Sequence, residues 1–337
     1  MMTSETIDPQ NTVLGVNETN KRAFMNRRNK IRNKFFGNAI RRGWIATVVI
    51  YFLLLSIGFV YLQPLLHMFS TSMMSLTDIL DSSIRWIPSG FYYRNFRNAF
   101  LVMNYMETLF QNFIIAGIPA LAQTFICSLT AYGFARFKFK GKTLLMGIMI
   151  FTFIVPPQIL MMPTFLLYTD LGLVGSLWAF IMPASLGQGF QSAIMILIFY
   201  QFYKPIPEAL TEAAEIDGAS QVRIYWSLGV RSALPAVIVV FLLSFVFYWN
   251  ETHLTGLYLG LGGGGNSDWT TLLIELDRFR SSFNAVFPAG MSGEGNRLNE
   301  GVTFAGTLLA IAPLIFMAGF LQKFLVESID GAGITGE

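Results

Sequence analysis

The chain has 337 residues, of which 53% are hydrophobic and 13% charged, and its mean hydropathy is +0.53. A soluble domain carries a charged share of roughly 25%, so this composition excludes an ordinary soluble protein and predicts an integral membrane protein. The net charge of +3 is small, and its distribution along the chain is more informative than its size.

The first 43 residues form a polar tail that holds nine Lys and Arg residues. No apolar stretch precedes Trp44, so the sequence predicts no cleavable signal peptide. A basic tail can bind nucleic acid, but one that directly precedes a membrane span more often binds anionic lipid headgroups. We therefore predict a cytoplasmic, membrane-anchoring tail over residues 1–43.

Six apolar runs are long enough, at about 20 residues each, to cross a bilayer. On this assignment, seventeen Lys and Arg residues fall on the side that holds both termini and six on the other side. The positive-inside rule then places both termini in the cytoplasm. The predicted fold class is all-α integral membrane, with six transmembrane helices in one domain over residues 44–327 and a cytoplasmic tail over 328–337. The predicted spans are 44–66, 108–133, 143–166, 174–200, 233–257 and 302–326.

Several of these predicted spans contain helix breakers. Pro156, Pro157 and Pro163 lie in the third span, and Pro183 lies in the fourth. In lipid, such breaks occur where a helix packs on protein or lines a wet cavity, and both alternatives stay open here. Between the fifth and sixth spans, the outer segment 258–301 is rich in glycine and is predicted to be a long, partly ordered loop.

The single cysteine and the two histidines predict no metal site. Cys127 lies in an apolar run, where a lone thiol behaves as a small hydrophobic residue. His67 and His253 are far apart, and no cysteine or carboxylate cluster lies near either at ligand spacing.

The segment between the fourth and fifth spans, residues 205–230, is too polar to cross a membrane. Pro207 suits a first helical position, and Glu208 falls where the helix dipole favours a carboxylate. Gly218 suits the left-handed residue that ends a helix, and Ser220 can cap a second helix that runs to about residue 228. This pattern predicts two short helices joined by a tight turn, either projecting into the cytoplasm to dock on another protein or lying on the membrane as a connector.

The run of residues 212–220, Glu-Ala-Ala-Glu-Ile-Asp-Gly-Ala-Ser, resembles the EAA loop of binding-protein-dependent ABC importer permeases. Its Asp-Gly-Ala form resembles the carbohydrate branch, of the maltose-importer type. Residues 131–141 and 249–251 are also similar to segments of that family, and residues 322–326 with the glycines of the C-terminal tail resemble the C-terminus of its smaller permease. The resemblance implies a type I ABC importer permease fold in which this loop docks into a cleft of an ATPase subunit. The docking residues that it implies are Glu208, Glu212, Ala213, Ala214, Asp217, Gly218, Ala219 and Ser220.

The chain departs from the family pattern at Arg231, where a proline is expected, although Pro235 keeps the second proline of that pattern. The run Gly141-Lys142-Thr143 superficially resembles the end of a phosphate-binding loop. Such a loop needs a glycine where this chain has Arg136. We therefore expect no catalytic residue and no cofactor on this chain, with ATP and Mg bound by a separate ATPase chain.

The resemblance implies a multi-pass permease of the bacterial cytoplasmic membrane that imports sugars or oligosaccharides. Its implied partners are a second, homologous permease in a heterodimer, two ATPase subunits, an extracytoplasmic solute-binding protein and a glycan substrate. Nucleic acid is not expected as a partner. Polar residues at membrane depth are candidates for the solute pathway, although interhelical hydrogen bonding explains them equally well. The candidates are Gln188, Gln191, Ser192, Asn250 and Glu251.

Three other functions compete with this one. A permease for a non-sugar solute such as glycerol phosphate would share the same fold and loop. A secondary transporter usually shows two similar halves and buried coupling charges, and the sequence shows neither. A membrane enzyme needs a convergent set of acid, base or metal-binding groups, and Glu251 with His253 is the only nearby pair.

Overall fold

The computed structural model describes residues 43–259, 268–288 and 296–333, without the side chains of 320, 321 and 323–333. Over these ranges the chain is helical and contains no strand, which confirms the all-α prediction. The chain divides into two compact units, one ending at Met68 and the other beginning at Phe69. The predicted basic tail, apart from Gly43, lies outside the described residues.

Helix α1 runs over Trp44–Ser72 and is apolar on every side along its 29 residues. A helix that is apolar all round suits a membrane span rather than the surface of a soluble protein. It is longer than the predicted span 44–66, because Pro64 does not end it.

Two short helices follow α1: α2 (Leu76–Leu80) and α3 (Arg94–Val102). The start of α2 is fixed by a capping box, in which Ser75 Oγ accepts from the Asp78 backbone N–H at 3.1 Å and Asp78 accepts from the Ser75 N–H at 3.3 Å. Ser89 Oγ donates to the same carboxylate at 2.6 Å. This hydroxyl, helped by the backbone N–H groups, holds the pKa of the buried Asp78 carboxyl below its ordinary value of 3.8, although burial opposes the shift.

Helix α4, Tyr105–Arg136, is the central element of the second unit. Its 32 residues make the most extensive helix contacts there, with the helices Ser192–Tyr203 and Leu234–Asn250. The helix is longer than the predicted span 108–133 and continues through Pro119.

The third predicted span, 143–166, is two helices rather than one. Helix α5 covers Lys142–Ile154 and α6 covers Pro157–Asp170, and they meet at an angle of 96°. The break falls at Pro156 and Pro157, because consecutive prolines lack N–H groups for the helix and also disfavour helical backbone in the residue before them.

The fourth predicted span, 174–200, is also interrupted. Helices α7 (Trp178–Ser185) and α8 (Ser192–Tyr203) are separated by residues 186–191. Gly187 and Gln191 both have left-handed backbone there, with φ of 75° and 56°, so a single continuous helix is wrong for this span.

Beyond α8 the chain forms α9 (Glu208–Ile216), α10 (Gln221–Ile224) and a π-helical segment, Tyr225–Val230. Helix α11 then covers Leu234–Asn250, and the preceding helical stretch meets it at 82°. Arg231 lies exposed in this bend, and Pro235 occupies the first turn of α11, where its missing N–H costs nothing.

The fifth predicted span, 233–257, is likewise broken, because Glu251 and Thr252 are not helical. Helix α12, His253–Tyr258, follows them. The segment 258–301, predicted to be an outer loop, then holds α13 (Leu272–Asp277) and α14 (Phe279–Val286), with the Phe279 and Phe283 rings buried in the core.

The last helix, α15, covers Glu300–Gly333 and extends into the predicted tail 328–337. Three helices are long and apolar enough to span a membrane: Trp44–Ser72, Tyr105–Arg136 and the Glu300–Gly319 part of α15. The two bent pairs raise that number to five among the described residues. A multi-pass membrane fold follows from these lengths and compositions.

Candidate coupling and solute-pathway sites

The first helix of the 205–230 loop starts one residue later than predicted. Pro207 has extended backbone, with φ −59° and ψ 134°, and therefore precedes the helix as its N-cap instead of occupying the first helical position. Glu208 is the first helical residue, and its carboxylate lies in the first turn, where the helix dipole favours a negative charge.

The turn after α9 is built on Gly218. Its φ of +78° lies in the left-handed region, and the backbone N–H groups of Gly218 and Ala219 donate to Glu215 O and Ala214 O, both at 2.9 Å. This pair of hydrogen bonds is a Schellman motif, which satisfies carbonyls at the helix end. Ser220 Oγ then accepts from the Arg223 N–H at 3.4 Å and caps α10, so the predicted helix, turn and cap are all present.

The surface of α9 and α10 combines exposed apolar side chains with carboxylates. Ile216 is 87% exposed and Val222 is 67% exposed, although both are aliphatic. Glu212 is exposed, and Glu215 accepts a hydrogen bond from Gln221 Nε2 at 2.5 Å across the turn. Large exposed apolar side chains bordered by polar groups are typical of a protein–protein contact.

The predicted docking residues lie together on this surface. Ala214 and Ala219 are half-buried, whereas the others are exposed. A side chain added at Gly218 would meet no atom within 4 Å, so the chain itself leaves this position open. The exposed members are Glu208, Glu212, Ala213, Asp217, Gly218 and Ser220.

Arg136, the last residue of α4, fixes this loop to the body of the protein. Its Nη1 donates to Ile206 O at 2.6 Å, and its Nη2 donates to Pro207 O at 3.4 Å and to Thr211 Oγ1. A guanidinium presents several donors in a rigid fork, so one side chain holds both the approach to α9 and its first turn. An exposed ion pair between Lys138 and Glu208, at 3.6 Å, adds little.

Three of the pathway candidates lie at the break between α7 and α8. Gln188 is exposed, Gln191 is half-buried with left-handed backbone, and Ser192 is 6% exposed. Ser192 Oγ donates to Gly189 O at 3.0 Å, so its hydroxyl is used within the turn.

The other two pathway candidates lie at the end of α11. Asn250 is exposed and its Nδ2 donates to Val246 O at 2.9 Å, one turn back on the same helix. Glu251 Oε1 accepts from the Leu254 N–H at 2.9 Å and so supports the start of α12. The structure does not bring these two residues into hydrogen bonds with the three at the break.

Comparison with known proteins identifies the family. Residues 123–331 match the family described as the binding-protein-dependent transport system inner membrane component. The match covers more than half of the chain and includes every residue of the two candidate sites. The chain belongs to this family. It is an inner-membrane permease of ABC import systems and not an enzyme, since the ATPase of such systems is a separate subunit.

Two relatives and one solved structure extend this result. The permease is 26% identical over 298 residues to the polygalacturonan/rhamnogalacturonan transport system permease protein YtcP of Bacillus subtilis, covering 86% of this chain and 98% of that one. It is 24% identical to the arabinooligosaccharides transport system permease protein AraQ of Halalkalibacterium halodurans, covering 87% and 96%. A chain of a bacterial ABC transporter that imports the acidic polysaccharide alginate aligns with a TM-score of 0.62 at 21% identity, covering 83% of the permease and 96% of that chain, and so shows the same fold.

Sequence reasoning missed the residues of the permease that hold the break. Gln123, fully buried on α4, donates from Nε2 to Phe190 O at 2.6 Å. A methyl group at Gly189 would lie 2.5 Å from Gln123 Oε1 and 2.6 Å from Tyr248 OH. A glutamine in the middle of an apolar span is a detectable signal, but its partner, a backbone carbonyl, leaves no trace in the sequence.

Proposed function

We propose that this permease imports sugars or oligosaccharides and that ATPase subunits drive it through the 205–230 loop. The observation that carries the proposal is the exposed surface of α9 and α10. There a Schellman turn presents Ile216 and Val222 to solvent, and none of the residues that the structure describes covers them. An apolar helix face of this kind fits a groove on a partner protein.

The sugar assignment is supported by the relatives and by the loop itself. By their names, YtcP is a transport permease for polygalacturonan or rhamnogalacturonan, and AraQ is one for arabinooligosaccharides. The Asp-Gly-Ala form of the loop, at residues 217–219, is the form that resembles the carbohydrate branch. We infer that a glycan, delivered by an extracytoplasmic binding protein, is the solute.

We further propose six spans with both termini in the cytoplasm. The fourth span then consists of α7 and α8 together. Their 8 and 12 residues rise about 12 and 18 Å, which together match the hydrocarbon thickness of about 30 Å. The excess of Lys and Arg on the side that holds the 205–230 loop supports the cytoplasmic placement of that loop.

In this arrangement the permease pairs with a second, homologous permease, and two ATPase subunits bind ATP and Mg. Closure of the ATPase subunits moves the docked loops, and the spans rock between inward-open and outward-open states. The Arg136 contacts make the loop part of the membrane domain, so its displacement is transmitted and not absorbed locally. Gln188 and Gln191 at the break, and Asn250 and Glu251 at the end of α11, are proposed to face the solute during this cycle, together with Ser192.

Replacement of Gly218 tests the docking surface. A tryptophan there meets no atom of the described residues within 4 Å, but any L side chain strains the left-handed backbone at this position. Alanine is the matched control, because its Cβ introduces the same backbone strain and adds little volume. We expect the tagged Gly218→Ala permease to retain the ATPase in mild detergent and the Gly218→Trp permease to lose most of it, as measured by mass spectrometry of the purified complex.

Equal recovery of the ATPase with both variants would refute the docking assignment. The sugar assignment is tested separately with the assembled wild-type transporter in proteoliposomes, together with its binding protein. Uptake of galacturonides or arabino-oligosaccharides is expected, whereas uptake of glycerol phosphate alone would establish the non-sugar alternative.

A further inference from the structure

We propose that a stripe of side chains on α4 transmits movement between the 205–230 loop and the break at 186–191, an inference that rests on the proposed coupling function. The stripe runs from mid-helix to the C-terminal end of α4, a length of about 20 Å, and its contacts recur at about every helical turn. We call it the α4 stripe. Its members are Gln123, Cys127, Ser128, Tyr132 and Arg136.

The C-terminal end of the α4 stripe contacts the 205–230 loop. Arg136 binds Ile206 O at 2.6 Å and the Thr211 hydroxyl, so the end of α4 and the first turn of α9 share one set of charge-assisted hydrogen bonds. One turn earlier, the Tyr132 ring meets Tyr203 and Tyr225 edge-on, with ring centres 5.4 and 5.2 Å apart. The loop is therefore anchored to α4 at both its entry and its exit.

The middle of the α4 stripe is a buried junction of three hydroxyl groups. Ser128 Oγ is hydrogen-bonded to Tyr203 OH at 2.6 Å and to Tyr225 OH at 2.9 Å. Tyr203 ends α8 and Tyr225 begins the π-helical segment, so one serine joins the two elements that flank the loop. Gly229 permits the Tyr132 ring to pack against the π-helical segment, because a methyl group at residue 229 would lie 3.0 Å from that ring.

The N-terminal end of the α4 stripe contacts residues at the break 186–191 and at the start of α8. Cys127 Sγ contacts Ser192 O at 3.8 Å, and Gln123 Nε2 donates to Phe190 O at 2.6 Å. The break carries strained backbone, since Gln191 is a non-glycine residue with φ of 56°, and strain of this kind persists where the surrounding contacts impose it. Two of those imposing contacts come from the α4 stripe.

These contacts are suited to transmit force because they are buried. Separation of Ser128 from its two phenols would leave polar groups without partners in a site that excludes water, and such groups are costly. The loop, α4 and the C-terminal part of α8 therefore move together when the loop is displaced. This movement reaches the break through Gln123 and Cys127, and a change in backbone conformation there moves Gln188 and Gln191, the proposed pathway residues.

The test separates transmission from stability. Ser128→Ala leaves two phenols without their partner, whereas the triple variant Ser128→Ala/Tyr203→Phe/Tyr225→Phe removes all three hydroxyls and leaves none unsatisfied, which is nearly neutral for stability. Thr124→Val is the matched control on the same helix. The Thr124 hydroxyl is buried, but it donates to the backbone carbonyl of Ala120, one turn earlier in α4, at 2.7 Å, and so joins no other element. Each variant is assembled with its ATPase subunits in proteoliposomes, and solute uptake and ATP hydrolysis are measured together.

We expect the triple variant to melt like the wild type, to bind the ATPase and to hydrolyse ATP, while uptake per ATP falls about two- to thirtyfold. Ser128→Ala is expected to lose uptake per ATP as well, and Thr124→Val to keep it. Unchanged uptake per ATP in the triple variant, or an equal loss in Thr124→Val, would overturn the role of the α4 stripe. Failure of the docking surface would appear elsewhere, as retention of the ATPase by Gly218→Trp.

Discussion

Arg136 ends α4 with its guanidinium directed at the start of α9, where it binds carbonyls of Ile206 and Pro207 and the hydroxyl of Thr211. A lysine at this position would be a single point donor and could not hold the carbonyls and the hydroxyl in one geometry. The residue that excluded a phosphate-binding loop in the sequence is thus the residue that positions the candidate docking helix.

A buried carboxylate at the start of α2 makes stability depend on pH. The pKa of Asp78 is lowered, chiefly by the Ser89 hydroxyl, so the ionised form stabilises the fold above the ordinary value of 3.8. That contribution is lost as the pH falls through the lowered pKa. We expect Asp78→Asn to lower the melting temperature at pH 7 and to lower it less at pH 3, as measured by thermal unfolding of the detergent-purified permease.

Asp81 provides the control for this measurement. Its carboxylate also accepts from a serine, Ser83, at 2.7 Å, but it is fully exposed and its partner lies only two residues away. Asp81→Asn is expected to change the melting temperature less at pH 7. If Asp78→Asn lowered the melting temperature equally at both pH values, the charge of the carboxylate would contribute nothing to stability and only its shape would matter.

At the scale of elements, the apolar runs predicted where helices occur but not where they break. Pro64, Pro119, Pro163 and Pro183 all lie inside helices that continue through them, whereas Pro156 and Pro157 separate two helices. A helix tolerates proline when neighbouring groups satisfy the freed carbonyl, and those neighbours are set by the tertiary fold. The break at 186–191 depends on a glutamine more than sixty residues away, which local patterns cannot reveal.

The candidate docking site was more predictable than the candidate pathway for a physical reason. The turn after α9 is local, so Gly218 and Ser220 carry its backbone requirements in their own chemistry. The pathway residues depend on which helices face each other, and the structure shows Ser192, Asn250 and Glu251 engaged in local hydrogen bonds. Their role in solute contact stays a prediction.

Close packing at the break gives a prediction for this element. Gly189→Ala places a methyl group 2.5 Å from Gln123 Oε1 and 2.6 Å from Tyr248 OH, and such overpacking destabilises by about 1–3 kcal/mol. We expect a lower melting temperature, measured in detergent. Gly133→Ala on α4 is the control, since its methyl group meets nothing within 4 Å, and an unchanged melting temperature in Gly189→Ala would show that the break relaxes freely.

At the scale of the whole molecule, the proposed orientation in the membrane can be tested by chemical labelling of introduced cysteines. The native Cys127 is fully buried, so it does not need to be removed. Arg94 on α3 and Lys140 before α5 are both exposed, and the proposed topology places them on opposite sides. We expect a membrane-impermeant maleimide to label Arg94→Cys in right-side-out vesicles and Lys140→Cys only in inside-out vesicles.

The unmodified chain should remain unlabelled in both preparations, which establishes the background. The reverse pattern would invert the proposed topology, and labelling of both positions from one side would require a different number of spans between them.

The aliphatic surface at Ile216 and Val222 also affects how long the permease persists in the cell before the transporter assembles. A permease that has been inserted but has not met its ATPase displays this patch at the membrane surface, where chaperones and proteases recognise exposed apolar side chains. Docking would hide it. Cells that lack the ATPase should therefore degrade the permease faster, so the supply of one subunit would set the lifetime of the other.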